Sequence, residues 1–189
     1  QLTDRVGHRL SGSDALPRAI DWAVQLMKAD GQDNVHTEKV MVPHWVRGAE
    51  SAELRSPVTR RLHLLGLGGT VATPKKGLTA EVVVAATFEE LVAMGDAVEG
   101  KIVLWDVHMP VYGDETGAGY GEAVRFRGEG ASRAAKQGAV ASLVRSLTAR
   151  SLRSPHTGAV RYAEDVAKIP AAALTTEDAD LIVRLARGG

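Results

Sequence analysis

The chain has 189 residues, enough for one domain or one domain with an appendage. Its 23 basic and 23 acidic residues cancel and 44% of it is apolar, which argues against disorder and gives no electrostatic basis for binding nucleic acid or an anionic membrane. It has no cysteine, so disulfides, thiolate zinc sites and cysteine nucleophiles are excluded. No apolar run approaches the roughly 18 residues that a membrane span needs.

Ser13 is placed to cap a helix that carries Leu16, Ile20, Ala23 and Met27 on one stripe and ends at Gly31. "NVHTEKVMVP" (34–43) and "SAELRS" (51–56) read as strands, and Pro57 with the basic pair Arg60 and Arg61 marks a boundary. The expected organisation is therefore an opening helix–strand segment, 1–57, and a second domain, 58–189. In the second domain "RLHLLGL" (61–67) and "AEVVVA" (80–85) are expected strands. Thr87 and Glu90 form a capping box for a short helix closed by Gly95. "GKIVLWD" (100–106) reads as a buried strand, 130–137 as a helix and 139–145 as a strand. "IPAAAL" (169–174) is the last expected strand, and Thr175 opens a final helix. Two connections, 107–127 and 146–168, are each about twenty residues long, against a median of roughly 4 to 6. Loops of that length are more often functional than accidental.

The chemistry-bearing patterns are sparse. "GLGGTV" (66–71), "GAGYGE" (117–122) and "GEGASR" (128–133) all lack the third glycine of a dinucleotide fingerprint, and no phosphate-binding loop is present. In 130–146 the small residues Ala131, Ala134 and Ala135 are expected to let a helix lie close to a sheet. His8, His36, His44, His63, His108 and His156 are dispersed, and none forms the helical i, i+4 pair that turns two imidazoles toward one metal. Asp106 and His108 follow a strand end and suit an oriented general base, but no G-x-S-x-G nucleophile accompanies them. The strongest signal on physical grounds is in the long loops. His156, Thr157, Arg161 and Tyr162 cluster in "SPHTGAVRY" (154–162), and Arg125 and Arg127 lie in "YGEAVRFR" (120–127). Arginine grips a carboxylate at two points and tyrosine offers a flat face, so this group is expected to meet an anionic peptide end or a partner protein.

The order "EGKIVLWD", glycine-rich loop, "GASRAAKQGAVASLVRS", "IPAAALTTEDADLIVRL" resembles a protease-associated domain. "GHRLSGS" (7–13), "AIDWAVQLMKADG" and "VMVPHWVRGAESAELRSP" (41–57) resemble the opening segment of family M28 zinc peptidases, of the plasma glutamate carboxypeptidase and aminopeptidase type, and "SLRSPHTGAVRY" matches a loop of that group. The resemblance implies an α/β fold: a swivelling β/β/α domain with a mixed sheet and short flanking helices, joined to an N-terminal helix–strand segment. In that family the domain is inserted just after such an opening segment.

The family's catalytic module, with two zinc ions held by His, Asp and Glu and a Glu as general base, matches nothing in the chain. No catalytic or metal-ligating residue is therefore carried over, no cofactor is expected in this chain, and zinc is expected in the missing module. The expected role is a non-catalytic lid or side wall beside a peptide cleft, inactive alone. Its partners are the catalytic module of the same polypeptide and the peptide substrate. Arg9, Ser11, Arg125, Arg127, His156, Thr157, Arg161 and Tyr162 are the expected substrate-facing residues. The apolar stripe of the first helix is expected to fold back, to be poorly ordered or to pair with a second copy as a homodimer. The family resemblance also implies a secreted or periplasmic location. The competing readings are a free-standing peptide- or protein-binding module, and a small hydrolase built on Asp106 and His108 or on a dispersed histidine metal site.

Overall fold

The computed structural model describes residues 2–110, 112–113, 119–150 and 152–188. These fall into two compact units, Gln1–Val46 and Arg47–Gly189. The strand expected at 51–56 belongs to the second unit, where it pairs with the strand that follows it.

In the first unit a single π-type turn, Leu2–Val6, precedes α1, Ala15–Ala29. Asp14 occupies the cap position without a side-chain hydrogen bond, and the hydroxyl of Ser13 is buried with no partner. The C-terminal end is better made. Gln32 N–H donates to the Met27 carbonyl (3.1 Å) and Gly31 N–H to that of Lys28 (3.1 Å), with Gly31 at φ +77°, a conformation that glycine takes without steric cost. The strand expected at 34–43 does not form, because no second strand in this unit pairs with those residues. The first of them, 34–37, instead line an open groove of about 350 Å³ with Ile20, Ala23, Val24 and Met27 of α1.

The second unit is a mixed five-stranded sheet with a two-stranded ribbon. The ribbon is β1, Ala52–Leu54, antiparallel to β2, Arg60–Leu62, and the turn between them holds a cis Ser56–Pro57 bond. The sheet has the order β3 (Leu64–Gly66), β7 (Ala171–Leu174), β6 (Ala141–Arg145), β5 (Ile102–Trp105), β4 (Val82–Ala85). β3 runs antiparallel to β7 and the other pairings are parallel. The run 61–67 is thus two strands and not one. At His63 the chain changes partners, held there by its N–H on the Asp178 carboxylate (2.6 Å).

Residues on β5 alternate between two cores, as the two-residue period of a strand requires. Val103 and Trp105 join Phe88 and Leu91 of α2 (Phe88–Ala93) and Ala131 and Ala134 of α3 (Tyr120–Lys136). Leu104 faces the other way, into Leu174, Leu62 and the residues Ala179 and Ile182 of α4 (Thr176–Arg187). Fully burying one such side chain is worth roughly 1.5–3 kcal/mol. Helices therefore cover both faces. α2 and α3 are the β-to-β crossovers of the parallel strands, which tie the sheet into successive βαβ units.

The capping box forms as expected. The Thr87 hydroxyl accepts from Glu90 N–H (3.0 Å), and the Glu90 carboxylate reaches back to the N–H of Ala86 (2.6 Å). Thr175 caps α4 by accepting from Asp178 N–H (3.3 Å). α3 differs from expectation in length: it starts ten residues before the helix read from sequence, so 120–127 is helix and not loop. Its buried face is made of Ala123, Gly128, Gly130, Ala131 and Ala134, too small to show an apolar period. A side chain at Gly130 would put its Cβ 2.5 Å from the Trp105 indole nitrogen, so this glycine is where helix and sheet touch. Gly138, at φ +82°, ends α3 and turns the chain toward β6.

Candidate functional site

The chemistry-bearing residues of the second unit form two groups of opposite character, one at the carboxyl ends of the parallel strands β5 and β6, where α/β sheets often place their sites, and one along α3.

The first is a closed ion-pair network. Asp106, 8% exposed at the end of β5, has Arg145 at 3.4 Å, His108 at 3.4 Å and Arg187 at 3.6 Å from its carboxylate. Arg145, the last residue of β6, is itself buried and makes its short bond (2.6 Å) to Asp180 of α4. With two guanidinium groups on its carboxylate, Asp106 is held as a structural anion. The dyad read from the sequence, with Asp106 orienting His108 as a general base, therefore has its carboxylate committed elsewhere.

The second group is built on α3 and the 146–162 segment. That segment is tied down at several described residues. His156 N–H donates to the Ser146 hydroxyl (2.8 Å), Gly68 N–H to the Gly158 carbonyl (2.7 Å), and Arg161 N–H to that of Gly128 (2.8 Å). The Tyr162 hydroxyl lies 2.5 Å from the Ile169 carbonyl and 3.3 Å from the Thr70 hydroxyl. Tyr162 is thereby a strut of the fold, part-buried against the main core. Thr157 likewise spends its hydroxyl on the Gly66 carbonyl (3.2 Å). The His156 ring nitrogen Nδ1 is 2.5 Å from the Leu147 carbonyl; a carbonyl only accepts, so Nδ1 carries the proton.

Arg127 is different. Its guanidinium lies over the Tyr120 ring (5.5 Å), and that ring stacks on His156 with centroids 6.2 Å apart and planes 22° from parallel. Its one hydrogen bond is at the long limit, Nη1 to the Thr157 carbonyl at 3.5 Å, and its Nε is buried with no partner. Among the described residues no carboxylate pairs with it. It fits only because residue 158 is glycine: a Cβ there would lie 2.5 Å from the Arg127 Cζ. The Arg161 guanidinium packs nearby on Gly128, its Nη2 3.3 Å from where a Cβ of Gly128 would stand.

The remaining expected site residues do not join this group. Arg125 turns to the aromatic cluster, 5.2 Å from the Phe88 centroid, and Arg133 lies over the same ring at 4.9 Å. Arg9 and Ser11 belong to the first unit, where Arg9 donates to the Gly7 carbonyl (3.0 Å) and Ser11 is exposed. The histidines are spent singly: His36 on the Asn34 carbonyl, His63 on Asp178 and His44 against Gly12. Among the described residues no three His, Asp or Glu side chains are grouped to hold a metal ion. Sequence reasoning missed Tyr120. It sits seven residues before Arg127, the helical spacing that stacks two side chains on one face, and that spacing means nothing while 120–127 is read as loop.

No family model matches the chain. Over 188 residues it is 47% identical to carboxypeptidase Q of Bos taurus and 43% to that of Homo sapiens, covering all of this chain but only 38% of each relative. Among solved structures, a peptidase M28 precursor from Shewanella amazonensis SB2B superposes with a TM-score of 0.89 at 40% identity, over 100% of this chain and 42% of that one. BSAP, a zinc aminopeptidase from Bacillus subtilis, shares the fold with a TM-score of 0.63 at 19% identity, over 97% of this chain and 39% of the other.

Proposed function

The chain belongs with the M28 peptidases, of which it spans about two fifths of the length, and on that premise we propose that it is their non-catalytic, protease-associated part, forming a wall of the peptide-binding cleft. The observation that carries the reading is Arg127. A cation with no carboxylate partner among the described residues and a buried, unbonded Nε is a group held in reserve for a ligand. The class of ligand follows from the group: a guanidinium suits a carboxylate, such as the free end or an acidic side chain of a short peptide. His156, Thr157 and Arg161 form the rim of that anchor. In the same proposal, hydrolysis belongs to zinc chemistry in the rest of such an enzyme, as the family resemblance implies.

In the first unit, Ile20 and Met27 of α1 are each 41% exposed beside the groove lined by 32–37. That apolar stripe is the face we assign to contact with the catalytic part. A secreted or periplasmic location is part of the same proposal, as implied by the family resemblance; no helix among the described residues is long and apolar enough to cross a membrane.

The test is kinetic and uses the complete peptidase that contains this stretch. Arg127→Ala is expected to raise KM for short peptides with a free carboxylate by roughly 10- to 100-fold while kcat holds, the signature of lost ground-state and transition-state binding together. A KM unchanged by Arg127→Ala removes the reading.

A further inference from the structure

The Arg127 anchor needs a device that an ion-paired arginine does not. An arginine held by a carboxylate takes its plane from the fork of two hydrogen bonds. Among the described residues Arg127 has no such partner, and its one bond there, to the Thr157 carbonyl at 3.5 Å, is too long to orient it. What faces the guanidinium is the Tyr120 ring, its centroid 5.5 Å from Cζ. Tyr120 opens α3, and seven residues of helix bring Arg127 back to within about 20° of the same face. Both ends of this arrangement are fixed. Gly119, at φ +59°, packs on Pro110 so closely that a Cβ would come within 2.5 Å of that ring, which sets where α3 begins. His156, stacked on Tyr120, is itself tied through its N–H to Ser146 and through Nδ1 to the Leu147 carbonyl. The tyrosine hydroxyl makes no hydrogen bond among the described residues, so the ring face is the working part.

We infer that Tyr120 is the positioning residue of the anchor: its ring fixes the plane of the Arg127 guanidinium, so that the site takes a planar carboxylate by two parallel hydrogen bonds. The inference rests on the assignment of Arg127 as a substrate anchor. Its physical basis is the attraction of a cation to an aromatic face and the rotamer freedom that a long side chain loses against a rigid plate.

The experiment compares Tyr120→Phe, Tyr120→Ala and Arg127→Ala. In the complete peptidase, each is assayed on a peptide with a free carboxylate and on the same peptide amidated. In the 189-residue chain itself, exchange of the Arg127 Nε–H with water is followed by NMR. Tyr120→Ala is expected to raise KM for the free-carboxylate peptide roughly five- to tenfold at constant kcat, to shrink the penalty for amidation, and to speed exchange of the buried Nε–H. Tyr120→Phe keeps the ring and is expected to stay within about twofold of wild type in all three. If Tyr120→Ala leaves the amidation penalty and the Nε–H exchange intact while Arg127→Ala still raises KM, the role of Tyr120 is overturned and the anchor stands. If Arg127→Ala changes nothing and the amidated peptide is accepted equally, both fall. The NMR measurement also guards against misfolding, because a collapsed Tyr120→Ala variant loses its dispersed spectrum as a whole and not one side-chain signal.

Discussion

Arg145, at the end of β6, and Arg127, midway along α3, have opposite surroundings. Arg145 is enclosed by Asp106 and Asp180, and its charge is spent inside the fold. Arg127 has an aromatic ring and a glycine beside it and, among the described residues, no carboxylate partner. Residue type is shared, so it does not distinguish structure from function. The counter-ions do. A cation with two carboxylate partners, one of them buried, is part of the architecture, and one with none among the described residues is the candidate site.

Substitution breaks the comparison most directly. Arg145→Met leaves the buried Asp106 carboxylate with only the exposed Arg187 and His108, and is expected to cost about 3 kcal/mol of unfolding free energy. Arg127→Met removes a buried unbonded donor and is expected to shift stability by no more than about 0.5 kcal/mol in either direction. Urea unfolding of the two variants reads the difference from their midpoints at constant slope. Equal losses would mean that Arg127 is structural too.

Glycines sharpen the contrast. Gly130→Ala drives a methyl into the indole of Trp105, a buried ring that also donates to the Ser142 hydroxyl (3.1 Å), and is expected to cost about 2 kcal/mol by overpacking. Gly158→Ala drives a methyl into the end of a flexible side chain instead. Its cost in stability is expected to be below about 1 kcal/mol, while Arg127 is displaced and KM in the complete peptidase follows that of Arg127→Ala. A Gly158→Ala enzyme with wild-type KM would show that the observed guanidinium position is not the binding one.

Much of this frame was legible in the sequence, and what was not has a physical cause. "GKIVLWD" and "AVASLVR" gave their strands because both faces are buried and the runs are continuously apolar. Thr87 with Glu90, and Thr175, gave helix starts because capping is local chemistry. The first two turns of α3 stayed hidden because the face that packs on the sheet is alanine and glycine, chosen for closeness and carrying no period. The strand expected at 34–43 had the composition but no partner, and pairing is a property of the fold. At the site, Arg127 and His156 were visible as residue types in long loops. Arg125 was indistinguishable from Arg127 by the same logic, since two residues apart on a strand or loop implies one face, whereas on a helix it implies different ones. The pairing of Arg145 with Asp106 and Asp180 joins residues 39 and 35 positions apart, beyond the reach of any local pattern.

The smallest effect tests the counter-ion argument along a single helix. Near the C-terminal end of α3, Lys136 holds Asp165 at 3.2 Å. That hydrogen bond, then the backbone at Asp165 and the charge of Lys136, keep the Asp165 carboxyl below the ordinary carboxylate range. A carboxylate whose folded value lies below its unfolded one, near 3.9 for aspartate, binds protons less readily in the folded state. Its contribution is therefore fully present above about pH 5 and is lost as the pH falls through the folded value. Lys136→Met is expected to remove that contribution, so the difference in urea midpoint between wild type and variant is constant near neutrality and shrinks in acid. Glu81, lowered by its hydrogen bond to Lys101, gives Lys101→Met the same sign. Both carboxylates are fully exposed, so salt should erode both differences. Arg127→Met, on the same helix but without a carboxylate, is expected to show no acid-dependent difference from wild type at all. An acid-dependent difference there would reveal an anion on Arg127 in the free protein and return it to the class of Arg145.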